Sequence, residues 1–355
     1  MQVKNETELN AAITAINGGG SDTTIEITEN IALTADLVSV SGSLTLTSSE
    51  QHKINAEGYR VLQVTNGAAV TLSLSAEGTG PNHILDGTLV GKGGALGDVT
   101  VSSSGILSIP EGQTLTTNKV IVEKFGKLHV HGTLNNTDRI IFESTEFLSS
   151  TGHINDIFVS NRGELGVSSE DTLTTGFFVI QNGATSVNGT LTTEGPVFVF
   201  PEGYLNGNQG IMGDVLLIGG QLSNGANNGY TAGQVTNLGG TLHQGFGGTV
   251  NVESYTQLSG TLEVTLGQMA YIMTVGLLES SGSVELITGK IHVNVEIANA
   301  VFVAGQKFDI ITTTTGFAMG PGVEFVMEGF PSGYTAKLHT HPDKLTMVIE
   351  QTSTN

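Results

Sequence analysis

Apolar and polar residues alternate along most of the chain in runs too short for a helix and too regular for a loop. Gly42-Ser43-Leu44-Thr45-Leu46, Gly105-Ile106-Leu107-Ser108-Ile109, Gly126-Lys127-Leu128-His129-Val130 and Gly163-Glu164-Leu165-Gly166-Val167 share one form, with aliphatics two and four places after a glycine. Later copies start at Gly183, Gly203, Gly220, Gly240, Gly260 and Gly282, most of them 17 to 22 residues apart. Thr145-Glu146-Phe147-Leu148 fills the gap between Gly126 and Gly163 as a degenerate copy. Two more short runs follow within a unit: Thr114-Leu115-Thr116-Thr117 then Val120-Ile121-Val122, and Thr190-Leu191-Thr192-Thr193 then Val197-Phe198-Val199-Phe200. A period of two marks a strand with one apolar face.

Three strands in about 20 residues, repeated, predict an all-β fold: a right-handed, single-stranded parallel β-helix. One coil cannot bury its inward aliphatics, but stacked coils can. Leu115, Leu134, Ile154, Leu173, Leu191 and Ile211 are the expected inward column. About fifteen coils at ~4.8 Å would extend roughly 70 Å. A β-sandwich also alternates but requires no fixed period. Glycine and asparagine suit corners needing positive φ. Residues 1–20 read as an N-terminal cap, in which Glu6 to Asn17 form a helix with Leu9, Ala12, Ile13 and Ile16 on one face. Asn5 or Thr7 is placed to cap it, and Gly18-Gly19-Gly20 to end it. Residues 21–300 read as the β-helix and 301–355 as a C-terminal cap of antiparallel hairpins, all one continuous domain.

Composition narrows the function. The 355 residues include 49 glycines, no cysteine and no tryptophan, and the net charge is −20 from 33 acidic and 13 basic residues. This balance argues against nucleic acid and anionic membranes as partners. Absence of cysteine removes disulfides and thiolate chemistry. No apolar run approaches the ~20 residues of a membrane helix, so no membrane insertion is expected.

Two stretches resemble a known family. Tyr255-Thr256-Gln257-Leu258-Ser259-Gly260-Thr261-Leu262-Glu263-Val264, then Gly305-Gln306-Lys307-Phe308-Asp309-Ile310, Pro331-Ser332-Gly333-Tyr334 and Leu345-Thr346-Met347-Val348-Ile349, resemble the C-terminal end of autotransporter passenger domains and related bacterial surface proteins. Asn5-Glu6-Thr7-Glu8-Leu9-Asn10-Ala11-Ala12-Ile13 resembles the entry of pectin-lyase-like β-helices. Together they cover about a third of the chain. The resemblance implies secretion, surface display, and adhesion or self-association. Met1-Gln2-Val3-Lys4-Asn5 carries no signal-peptide pattern. The expected location is therefore extracellular or at the cell surface, with the targeting segment outside this sequence.

Carbohydrate-active enzymes also use β-helices, so clustered charged residues on this scaffold are candidates for chemistry. Coil alignment puts Lys119, Arg139 and Asp156 in one column ahead of the third strand, near Asp138 and Asp214. A base beside a cation is what lyase chemistry needs, but an ion-pair stack on a solvated face explains the same residues. Only Arg60, Arg139 and Arg162 are arginines, which disfavours a polyanionic uronide. His129-Val130-His131 and His339-Thr340-His341 each put two imidazoles on one strand face, and Asp343 is the third candidate metal ligand beside the second pair. Exposed, uncoordinated histidine is the simpler reading, and no metal or other cofactor is expected. Gly91-Lys92-Gly93-Gly94 reads as a corner, since no Gly-Lys-Ser/Thr follows. Stacked Thr-Leu-Thr strands resemble the flat face of ice-binding solenoids, but Gly152-His153-Ile154-Asn155 and Gly210-Ile211-Met212-Gly213 interrupt them.

The sequence therefore points to a non-enzymatic, adhesin-like stalk that binds a surface glycan or protein, or itself, through polar ladders and loops such as Asn224–Tyr230. The second reading is a polysaccharide lyase, hydrolase or binding module on the same scaffold, and the third an ice-binding solenoid.

Overall fold

The structure, a computed structural model, describes residues 1–48, 50, 52–74, 76–77, 80–143, 145–150, 152–160, 162–225, 228–269, 272–296 and 302–352. Of residues 76–77, 145–150, 268–269 and 272 only the backbone is described. The chain folds as two compact units, Met1–Phe177 and Phe178–Asn355. The chain is a parallel β-solenoid with about 20 residues per turn and one short helix.

The first unit opens with the helix Glu6–Asn17. Asn5 caps it by accepting from the Glu8 N–H at 2.9 Å, while the Glu8 carboxylate accepts from the Lys4 N–H at 3.1 Å. Leu9, Ala12, Ile13 and Ile16 form its buried face. Its polar residues tie it to the chain that follows. Glu6 accepts from both the N–H and the hydroxyl of Thr34, and those bonds hold its carboxyl below the usual range. Asn17 accepts from Ser41 and donates to the Ser39 carbonyl.

Parallel coils follow. Leu107 lies beside Leu128, Leu115 beside Leu134 and then Ile154, and Val120 beside Ile140 and then Ile157. A buried aliphatic of this size is worth about 1.5–3 kcal/mol over exposure, so columns spanning several coils carry the stability. The expected column first breaks at Ile154, which pairs with Thr175, not Leu173. The slip is two residues, which keeps both side chains on the inner face. Some corner glycines have the expected positive φ, as Gly112 (φ 70) and Gly219 (φ 89) do, and others are explained differently. At the first corner the left-handed residue stands before the glycine, as in Phe125 (φ 67) and Arg162 (φ 65). Gly126 and Gly163 are required because a Cβ there would collide with the carbonyl oxygens of Val101 and Phe142 in the preceding coil.

In the second unit Leu191 pairs with Met212, so Met212 is the inward residue and Ile211 points out, 53% exposed. Farther on the strands merge and lengthen, to Tyr230–Gln244, Thr249–Met269, Ser283–Val295 and Gly316–Glu328. Coil length grows with them. Thr241 lies beside Thr261, but Tyr255 lies beside Val284 and Ser283 beside Gly316. These longer coils leave about 12 turns in the chain rather than fifteen. Amides line one inner corner: Asn237 donates to the Gly240 carbonyl at 3.1 Å and Gln257 to that of Thr288 at 3.1 Å. Buried Tyr255 donates to Gln257 at 2.9 Å, and burial raises its phenol well above the usual value, so it stays a donor.

Parallel stacking persists beyond residue 300. Lys307–Thr313 and Gly316–Glu328 still run parallel to Leu277–Ser280 and Ser283–Val295. Antiparallel pairing first appears where Thr249–Met269 turns back on Ile272–Val275, and at the C-terminal end Tyr334–His341 and Lys344–Gln351 form an antiparallel hairpin, the second of these strands also pairing antiparallel with Lys307–Thr313.

Candidate functional site

The column Lys119, Arg139, Asp156 forms as expected from coil alignment. The Val120 N–H donates to the Arg139 carbonyl and the Ile140 N–H to that of Asp156, so the three residues stand at equivalent corners. Their side chains do not converge. Arg139 pairs with its neighbour Asp138 at 3.3 Å and lies over the Phe158 ring at 5.1 Å. Asp156 accepts from the Phe177 N–H at 3.0 Å. Asp214 does the same for Gln234 at 2.8 Å, and Asp36 for Arg60 at 2.8 Å. These aspartates thus serve the next coil, satisfying a corner N–H that no strand partner reaches. The geometry is that of a structural staple.

His129 stands between Ser108 and Ser149 on neighbouring strands. Burial, with His131 and Lys127 nearby, pushes its pKa down, and Asp171 opposes this. His339 and His341 line an open groove of about 470 Å³ together with Lys307, Asp309, Lys344 and Thr346. Asp343 is not in this groove: it sits in the hairpin turn, where its carbonyl accepts from the Thr313 N–H at 2.8 Å. The carboxylate beside the histidines is Asp309, which accepts from Lys344 at 3.0 Å and from Thr346 at 2.6 Å. Burial works against its charge, but those two hydrogen bonds, with Lys344 and His341 nearby, hold its carboxyl below the usual range. Two ammonium groups make this a poor place for a metal cation. Among the described residues, no three His, Asp or Glu side chains are placed to hold a metal ion.

The loop expected to present a binding surface is partly internal. Asn224 is buried, accepting from the Gly245 N–H at 2.8 Å and donating to the Asn228 carbonyl at 2.7 Å. Tyr230 is buried too, and burial raises its phenol well above the usual value. Ala226 and Asn227 lie outside the described residues. The threonine array is interrupted as well, since Thr114 and Thr133 are followed by His153 in the same row. Gly93 and Gly94 both have positive φ, as a corner requires.

An outer-face ladder escaped sequence reasoning. His243 lies 3.3 Å from Glu263, Glu263 4.0 Å from His292, and His292 3.2 Å from Glu328. The His243 hydrogen bond is the largest influence on Glu263, holding its carboxyl below the usual range. Burial opposes this, and the charges of both histidines add to it. The signal was in the spacing: His243, Glu263 and His292 each stand three residues after a glycine, Gly240, Gly260 and Gly289.

Two other features face outward. A groove of about 450 Å³ is lined by threonines and serines with the exposed carboxylates Glu253 and Glu279. Exposed aliphatics recur two residues ahead of the same three glycines: Leu238 is 39%, Leu258 43% and Ile287 43% exposed. In the first unit the outward residues of three successive third strands are Ile121, Ile141 and Phe158.

Fold and side-chain geometry together define the class: a parallel β-solenoid whose charged side chains staple corners or pair along outer faces. No protein-family model matches the chain, and no curated protein matches its sequence.

Proposed function

We propose that this chain is a non-enzymatic, extracellular or surface-displayed β-solenoid of the autotransporter-passenger kind, which adheres to a surface glycan or protein or to further copies of itself. One observation carries the reading. Apolar side chains recur on the outside of successive coils: exposed Leu238, Leu258 and Ile287 in one unit, and half-buried Ile121, Ile141 and Phe158, in register, in the other. Contiguous exposed apolar rows rimmed by polar residues are what contact surfaces offer. The passenger-like C-terminal motifs supply the expectation of surface display.

Beads coated with the protein should clump or hold to target surfaces, and the triple variant L238S/L258S/I287S should lose much of that adhesion. The second reading, a polysaccharide-active solenoid, is favoured by the groove holding Glu253 and Glu279. Release of reducing ends from a polysaccharide panel, abolished by Glu279→Gln or Asp156→Asn, would decide for the enzyme.

A further inference from the structure

The outer face of the C-terminal antiparallel sheet concentrates positive charge on a strongly acidic chain. Pairing across its three strands sets Lys307 in a row with Val348 and Lys337, Asp309 in a row with Thr346 and His339, and Lys344 beside His341. Three lysines and two histidines thus share one small face, in a chain with 13 basic residues and a net charge of −20. Two of the lysines are neutralised: Lys337 by Glu350 at 2.8 Å and Lys344 by Asp309 at 3.0 Å. Lys307 is exposed and has no ion-pair partner among the described residues. With both carboxylates counted, the face carries one excess positive charge, and three once both imidazoles are protonated. The adjacent long strand Gly316–Glu328 does not cancel this, because Glu324 faces Lys290 at 4.0 Å and Glu328 faces His292 at 3.2 Å.

We propose that the groove between Lys307, His339 and His341 binds an oxyanion, the carboxylate or sulfate of an acidic ligand, and binds it more tightly as the pH falls. Lys307 supplies a permanent charge and two or three rotatable donors, and the Lys344–Asp309–Thr346 chain fixes the floor. Histidine is the side chain whose charge ordinarily changes between about pH 5 and 8, and His339 and His341 both line this groove beside Lys307. The inference stands on this sheet alone and does not depend on the adhesive role.

The test is a calorimetric titration of the full chain with inorganic sulfate, a dianion at every pH used, so any pH dependence belongs to the protein. An oligomer of a uronic acid forms the second arm. Saturable sulfate binding should be about fivefold to tenfold tighter at pH 5.5 than at pH 8. K307Q should weaken binding at both values, and H339N/H341N should flatten the pH dependence, with unchanged thermal unfolding in each variant. A uronate oligomer that binds more tightly than sulfate assigns the ligand to an acidic glycan, and equal affinity assigns it to a small anion. No saturable binding of either probe, or binding unchanged in both variants, overturns the proposal.

Discussion

The coils around residues 99–177 and the long strands from residue 230 onward use charge in opposite ways. In the first region a strand is two to six residues long, most often three or four, and a corner is never far away. Charged and amide side chains sit at those corners and spend themselves on the main chain: Asp156 accepts from the Phe177 N–H, and Asn155 donates to the Asn136 carbonyl. In the second, strands of 7 to 21 residues give the outer face enough length for side chains to meet one another across the ladder. There Glu263 pairs with His243 and His292, and Asp309 with Lys344. Strand length thus decides whether a carboxylate acts as part of the scaffold or as part of a surface.

The largest expected effect lies in the short-strand region. Gly163→Val puts a side chain against the Phe142 carbonyl, where backbone leaves no room. Urea unfolding should show a loss of about 3 kcal/mol or more, or failure to fold. A loss under about 1 kcal/mol would show that the coils can separate, and the tight-stack account would fail.

Next comes the staple. Asp156→Ala removes the acceptor of the Phe177 N–H and should cost about 1–2 kcal/mol, whereas Asp156→Asn keeps an acceptor and should restore most of it. Equal effects of both changes would mean that the carboxylate's charge, not its hydrogen bond, matters at that corner.

The smallest effect belongs to the outer ladder, where a partly exposed pair is worth less than about 1 kcal/mol. The folded state lowers the Glu263 pKa, so its contribution is present above the unfolded-state pKa and is lost as pH falls through the folded one. Glu263→Gln should therefore flatten stability against pH in the acid range while changing little near neutrality. An unchanged acid limb in the variant would remove Glu263 from the account.

Much of the architecture was legible in the sequence because it repeats. The glycine spacing, the three strands and the helix face of Leu9, Ala12, Ile13 and Ile16 all follow from periodicity. Local ambiguity hid the rest. The strand Ile211–Met212 is two residues long and both are apolar, so nothing in the segment says which faces inward. The slip of Ile154 onto Thr175 is two residues, and a slip of two leaves an alternating pattern unchanged. The role of Asp156 lies in a main-chain contact that no side-chain pattern records. Asp309 joins His339 and His341 through antiparallel pairing after the repeat ends, so the carboxylate nearest in sequence, Asp343, was the wrong choice.

The adhesive reading is tested most directly by sedimentation velocity of the wild-type chain and the L238S/L258S/I287S variant from low to high micromolar concentration. Replacing three exposed side chains should leave the fold intact. The account predicts a weight-average sedimentation coefficient that rises with concentration for the wild type and stays flat for the variant. A flat profile for both, with no difference in bead adhesion, would contradict the claim that the outward apolar rows are contact surfaces.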